Sequence, residues 1–104
     1  MDTKNFLDNG GRIFRREEVN SNGVTRIITV AYHRVDDGIH YGASIHRQEN
    51  KSDTFFRKPH NHTAVERCML RPVVIPDVHS DTKFDVEEYI RGCMFKLGVR
   101  GPRA

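Results

Sequence analysis

Val24-Thr25-Arg26-Ile27-Ile28-Thr29-Val30-Ala31-Tyr32-His33-Arg34-Val35, then Asp36-Asp37-Gly38, then Ile39-His40-Tyr41-Gly42-Ala43-Ser44-Ile45-His46: two runs of β-forming residues meet at an acidic, glycine-ended break. Such runs read as antiparallel strands joined by a tight turn. With Asp37-Gly38 as the two-residue turn, Ile45 falls opposite Val30, Ala43 opposite Tyr32 and Tyr41 opposite Arg34. The apolar residues of both strands then share one face, expected to face the core. Thr29, Ala31, His33, His40, Gly42, Ser44 and His46 occupy the other, which reads as a solvated sheet face. His33 and His40 would be diagonal neighbours on it, with His46 farther along.

Upstream, Arg12 to Val19 is a third β-type run, separated from the second by Asn20-Ser21-Asn22-Gly23, a hairpin signal because Asn-Gly tolerates positive φ. Downstream, Thr63 and Glu66 have capping-box spacing and are followed by Val65, Cys68 and Met69 at helical period, so a helix should start near Thr63. Pro72 ends it. Val73-Val74-Ile75, held between Pro72 and Pro76, fits a short edge strand. A last helix should span about Thr82 to Leu97, with Val86, Tyr89, Ile90, Cys93, Met94 and Leu97 on one stripe and Gly98 as its stop. The expected fold is therefore α+β, an antiparallel sheet of three to four strands packed by two helices, in the order β-β-β-α-(β)-α.

The chain has 104 residues, the length of one domain, with ends expected to be loose at about 1–9 and 99–104. No apolar run approaches the roughly 20 residues that span a bilayer, and Met1 to Gly11 lacks the basic start and apolar centre of a signal peptide. A cytoplasmic setting is the expectation. In a reducing compartment Cys68 and Cys93 read as thiols and not as a disulfide. The formal charge of +3 permits an acidic protein surface or nucleic acid as partner and demands neither.

Candidate chemistry is sparse. Ser44, Ser52 and Ser80 have no nucleophile-elbow context, and Asn9-Gly10-Gly11 is too short for a phosphate loop. His60, His62, Cys68 and Cys93 match no standard zinc spacing, so neither metal nor cofactor is expected. His60-Asn61-His62 lacks the intervening apolar residue and underlying strand of a nicking-nuclease pair. The chain reads as a non-enzyme.

What remains is binding. Phe55, Phe56, Arg57 and Lys58 run into a helix start, where fixed cations and unsatisfied backbone N–H groups would meet an anion together. His60, His62, Arg67 and Arg71 extend that surface, and Tyr41 is a further aromatic that could stack on a base.

Two resemblances follow from these residues. Three strands leading through a basic segment into a helix resemble the topology of double-stranded-RNA-binding domains, without their Lys-Lys-x-Ala-x-x-x-Ala-Ala pattern and lacking a leading helix unless Thr3 to Asp8 supplies one. Tyr41-Gly42-Ala43-Ser44-Ile45, Asp53-x-Phe55-x-Arg57-Lys58 and Ala64-x-x-Arg67 together resemble a pattern of small uncharacterised bacteriophage proteins, over about a third of the chain. That likeness implies a phage accessory protein that binds and modulates or inhibits a host complex, such as defence or transcription machinery, in the host cytoplasm. The alternatives are a nucleic-acid-binding module and, more remotely, a metal-dependent nuclease.

Overall fold

The computed structural model describes residues 2–36, 38–49, 53–76 and 83–96. Its elements are α1 (Thr3–Asp8), β1 (Arg12–Val19), β2 (Thr25–Val35), β3 (Gly38–Gln48), α2 (Arg57–Leu70), β4 (Val73–Pro76) and α3 (Lys83–Lys96). The four strands form one antiparallel sheet in the order β1-β2-β3-β4, an α+β architecture. The first hairpin turns where the Asn-Gly signal lies: the Asn20 side chain accepts the Asn22 and Val24 amides, and Gly23 has φ of 81°. The edge strand β4 pairs with β3 through Tyr41↔Val73 and Ile39↔Ile75.

The β2–β3 register differs from the sequence expectation by two residues. Pairing closes at Val35↔Gly38, so Val30 faces Ala43, Tyr32 faces Tyr41 and His33 faces His40 directly. The observed register sets large side chains against one another, including Ile28↔Ile45, and such cross-strand pairs each contribute a few tenths of a kcal/mol to about 1 kcal/mol. A shift of two residues leaves every side chain on its expected face.

One face is the anticipated core: Ile28, Val30, Tyr32, Ile39, Tyr41 and Ile75 pack with Val86 and Ile90 of α3. The Tyr32 hydroxyl donates to Glu87 at 3.3 Å, and burial beside that carboxylate pushes its pKa up to about 12.

The opposite face is not solvated. Thr29, Ala31 and Ser44 are buried, and Ala64, Val65 and Cys68 of α2 close over Ala31 together with Phe6. Small residues make this possible. Gly42 lies so close to the backbone of α2 that a Cβ there would meet the Cys68 amide nitrogen and come within 2.7 Å of the Ala64 carbonyl oxygen. Cys68 is a free, buried thiol that donates to the His40 carbonyl, and burial raises its pKa to about 12. The side chain of Cys93 lies outside the described residues.

The expected loose start is instead α1, capped by Asp2, whose side chain accepts the Asn5 amide. Its Phe6 is 1% exposed and packs against His33 with ring centroids 5.6 Å apart. One buried aromatic tethers the segment. Residues 99–104 fall outside the described residues.

Candidate functional site

The helix expected near Thr63 begins six residues earlier, at Arg57, with Phe56 as its N-cap residue and no side-chain cap. Tertiary contacts override the capping-box signal. His60 Nδ1 lies 2.6 Å from the Ser44 hydroxyl on β3, and Asn61 Oδ1 accepts Arg15 Nη1 from β1 at 2.6 Å. These two bonds seat the first turns of α2 on the sheet. Pro59 fits there because it falls among the first four residues, whose N–H groups have no intrahelical partner.

Phe55, immediately before the helix, lies nearly parallel to the His60 ring, at 16° with centroids 5.1 Å apart. The His46 ring stands edge-on to both, 5.3 Å from His60 and 5.5 Å from Phe55. His46 Nε2 is 3.3 Å from the Asp53 carbonyl oxygen. The Arg15 guanidinium sits 5.7 Å from the Phe55 centroid and also donates to Thr29 Oγ1 at 3.1 Å. Aromatic, imidazole and guanidinium groups from three elements thus converge where β1, β3 and α2 meet.

The electrostatics of this corner are unbalanced. The first turn of α2 contains no acid and carries Arg57 and Lys58 at the positive end of the helix dipole, where cations are unfavourable by a few tenths of a kcal/mol each. Among the described residues neither forms an ion pair. Burial and the charge of Arg57 lower the pKa of Arg15. Burial, His46 and Arg15 together lower that of His60.

The residues singled out from sequence divide into five groups. Phe55 and His60 are half-buried anchors, whereas Phe56, Arg57, Lys58 and His62 are exposed at the docked end, Phe56 at 64%. Arg67 is exposed farther along the helix, with its guanidinium donating to the Ala43 carbonyl at 2.7 Å. Arg71 caps the far end of α2, roughly 20 Å away at 1.5 Å per residue. Tyr41 does not belong to the surface at all. It is 1% exposed on the opposite face of the sheet, because β-strand alternation sends odd positions of β3 toward α3.

Sequence reasoning missed Arg15 and Asn61, which no local pattern distinguishes from ordinary surface residues. It set Ser44 aside, and the geometry explains why no hydrolase context accompanies it: the residue is 5% exposed under α2, its hydroxyl engaged by His60. No group of three or more His, Cys, Asp or Glu among the described residues is placed to hold a metal, and no described helix is long and apolar enough to cross a membrane. A separate groove of about 210 Å³ between β1 and α3 is lined by Phe14, Arg15, Arg16, Glu87, Glu88 and Arg91, and none of the expected site residues reaches it.

Comparison of the chain with protein-family models, curated proteins and solved structures finds no match in any of the three.

Proposed function

We propose that this is a non-enzymatic, phage-type binding protein that engages and modulates a host macromolecular complex through the first turn of α2. The observation that carries this reading is the placement of a solvent-exposed Phe56 beside Arg57 and Lys58, two cations without acidic partners among the described residues, at a helix start with no side-chain cap. Aromatic residues and arginine are enriched in protein–protein interfaces. An acidic partner surface would supply the counter-charge that the fold itself omits, favouring encounter and orientation. The resemblance to small bacteriophage proteins makes the partner a host component. The small net charge of +3 favours a protein over nucleic acid, whose binders usually present a larger basic surface.

A nucleic-acid reading is kept because α1-β1-β2-β3-α2, with α1 and α2 contacting each other beside the sheet, resembles double-stranded-RNA-binding topology, and the basic turn would then grip phosphates. Capture from host lysate with and without nuclease treatment separates the two. A protein partner that survives nuclease and is lost with Arg57→Ala/Lys58→Ala supports the proposal. Recovery of nucleic acid alone overturns it in favour of the second reading.

A further inference from the structure

We propose that the His46–His60–Phe55 ring cluster is a proton-operated latch: a neutral His60 holds residues 53–56 and the first turn of α2 on the sheet, and its protonation in mildly acidic surroundings releases them. The latch rests on the reading above only for its consequence, which is weaker partner binding as the turn loosens.

Three observations carry it. The rings are in mutual contact, with centroids 5.1 to 5.5 Å apart, so a charge on either imidazole is felt by the other. His60 makes the bond that ties the start of α2 to Ser44 on the sheet, and His46 donates to the Asp53 carbonyl in the approach to α2, a bond it keeps in either protonation state. The charged surroundings oppose a further positive charge. From β1, Arg15 lies over Phe55, and α2 contributes Arg57 and Lys58 in its first turn. Of the acids nearby, the Asp53 carboxylate is turned to the Glu49 amide at 2.9 Å and keeps its charge, and exposed Glu17 on β1 is level with His46 only across the intervening Ile27 of β2. β2 itself presents Ile27 and Thr29 here, neither of which titrates.

Protonation of His60 also either forces the Ser44 hydroxyl to turn from donor to acceptor or places the charge on a ring already stacked on Phe55. In the released segment His60, lowered in the closed form by burial, His46 and Arg15, regains the ordinary pKa near 6.5. The released form therefore binds more protons below that pH, and release is favoured only there. His60 contributes at most about a tenfold rise in the opening equilibrium between pH 7.5 and 5.5.

The test needs no partner. The imidazole protons of His46 and His60, the Phe55 ring protons and the Ile28 and Val30 methyls are followed by nuclear magnetic resonance from pH 7.5 to 5.5, with amide exchange of Asn61, His62 and Thr63 corrected for intrinsic rates. The Phe55 shifts should move toward random-coil values with the midpoint of His60 while the core methyls stay still. Exchange at the three amides should rise by up to about tenfold. His46→Phe, which keeps a ring and removes a charge, should raise the His60 midpoint and flatten the exchange response. If that variant does not fold, the wild-type titration decides alone. Phe55 shifts indifferent to the histidine titration, or shifts that move only in step with the core methyls, overturn the latch. Neither result touches the assignment of the docking surface, which the lysate capture tests separately.

Discussion

Gly42→Ala should be among the most damaging single-methyl changes in this protein, because the space it needs is filled by main chain and not by a side chain that can turn away. A Cβ at Gly42 would sit 2.7 Å from both the Ala64 carbonyl oxygen and the Arg67 carbonyl carbon, and nearer still to the Cys68 amide nitrogen, where an ordinary contact is 3.4 Å or more. The turn of α2 above it must lift by at least about 0.7 Å, the difference between these distances. Gaps of that size forfeit a quarter to a half of the dispersion energy between facing atoms. Ala64, Val65 and Cys68 all face the sheet from this part of α2. Overpacking usually costs about 1 to 3 kcal/mol, and with no flexible neighbour the expectation is the upper end, about 3 kcal/mol. For a domain of this size that lowers Tm by roughly 12 °C or more. The lift would also stretch the Ser44–His60 bond and unseat the docking turn. Urea unfolding followed by circular dichroism measures the loss directly. A cost below about 1 kcal/mol would show that α2 tolerates displacement and that Gly42 does not set its height. Gly92 in α3 is the contrast: a Cβ there meets nothing within 4 Å, so Gly92→Ala should stabilise by about 0.5 to 1 kcal/mol through helix propensity.

Arg57→Ala/Lys58→Ala should abolish most partner binding while leaving stability unchanged or raised by a few tenths of a kcal/mol, since it removes cations from the positive end of a helix. Full binding by this double variant would refute the assignment of the site, and a clear loss of Tm would refute its electrostatic account. Unfolding free energy should be flat between about pH 6.5 and 8 and fall below pH 6.5. His33, lowered by burial and His40, and His60, lowered by burial, His46 and Arg15, resist protons that the unfolded chain accepts. A rise in stability between pH 7.5 and 5.5 would contradict that sign. Cys68, buried with its pKa pushed up to about 12, should resist iodoacetamide in the native protein at pH 8 and react once denatured, as peptide mass spectrometry would show.

Much of the fold follows from the chain read alone, because strand alternation and turn chemistry are local. The alternation of β2 and β3 assigned each residue to a face, and Asn20 to Gly23 marked the first hairpin. Pro72 and Pro76 bounded the edge strand, and the apolar stripe around Val86 and Ile90 marked α3. The exact pairing of β2 with β3 was beyond reach, since two registers two residues apart leave the same faces buried and differ only in which large side chains meet.

Only the tertiary structure decided what covers the second face of the sheet. Thr29, Ala31, Gly42 and Ser44 look like a polar, solvated surface in sequence, yet their small size lets a helix backbone approach closely enough to bury them. That approach moves the start of α2 from Thr63 to Arg57, because bonds to Ser44 and Arg15 and the Phe55 stack outweigh a local capping signal. The basic first turn of α2 was legible as Arg57 and Lys58. Arg15, Asn61 and the pairing of His46 with His60 were not, since residues 15, 46 and 60 become neighbours only when three separate elements pack. Tyr41 as a stacking residue is corrected by strand parity itself, which sets it on the apolar face that α3 seals.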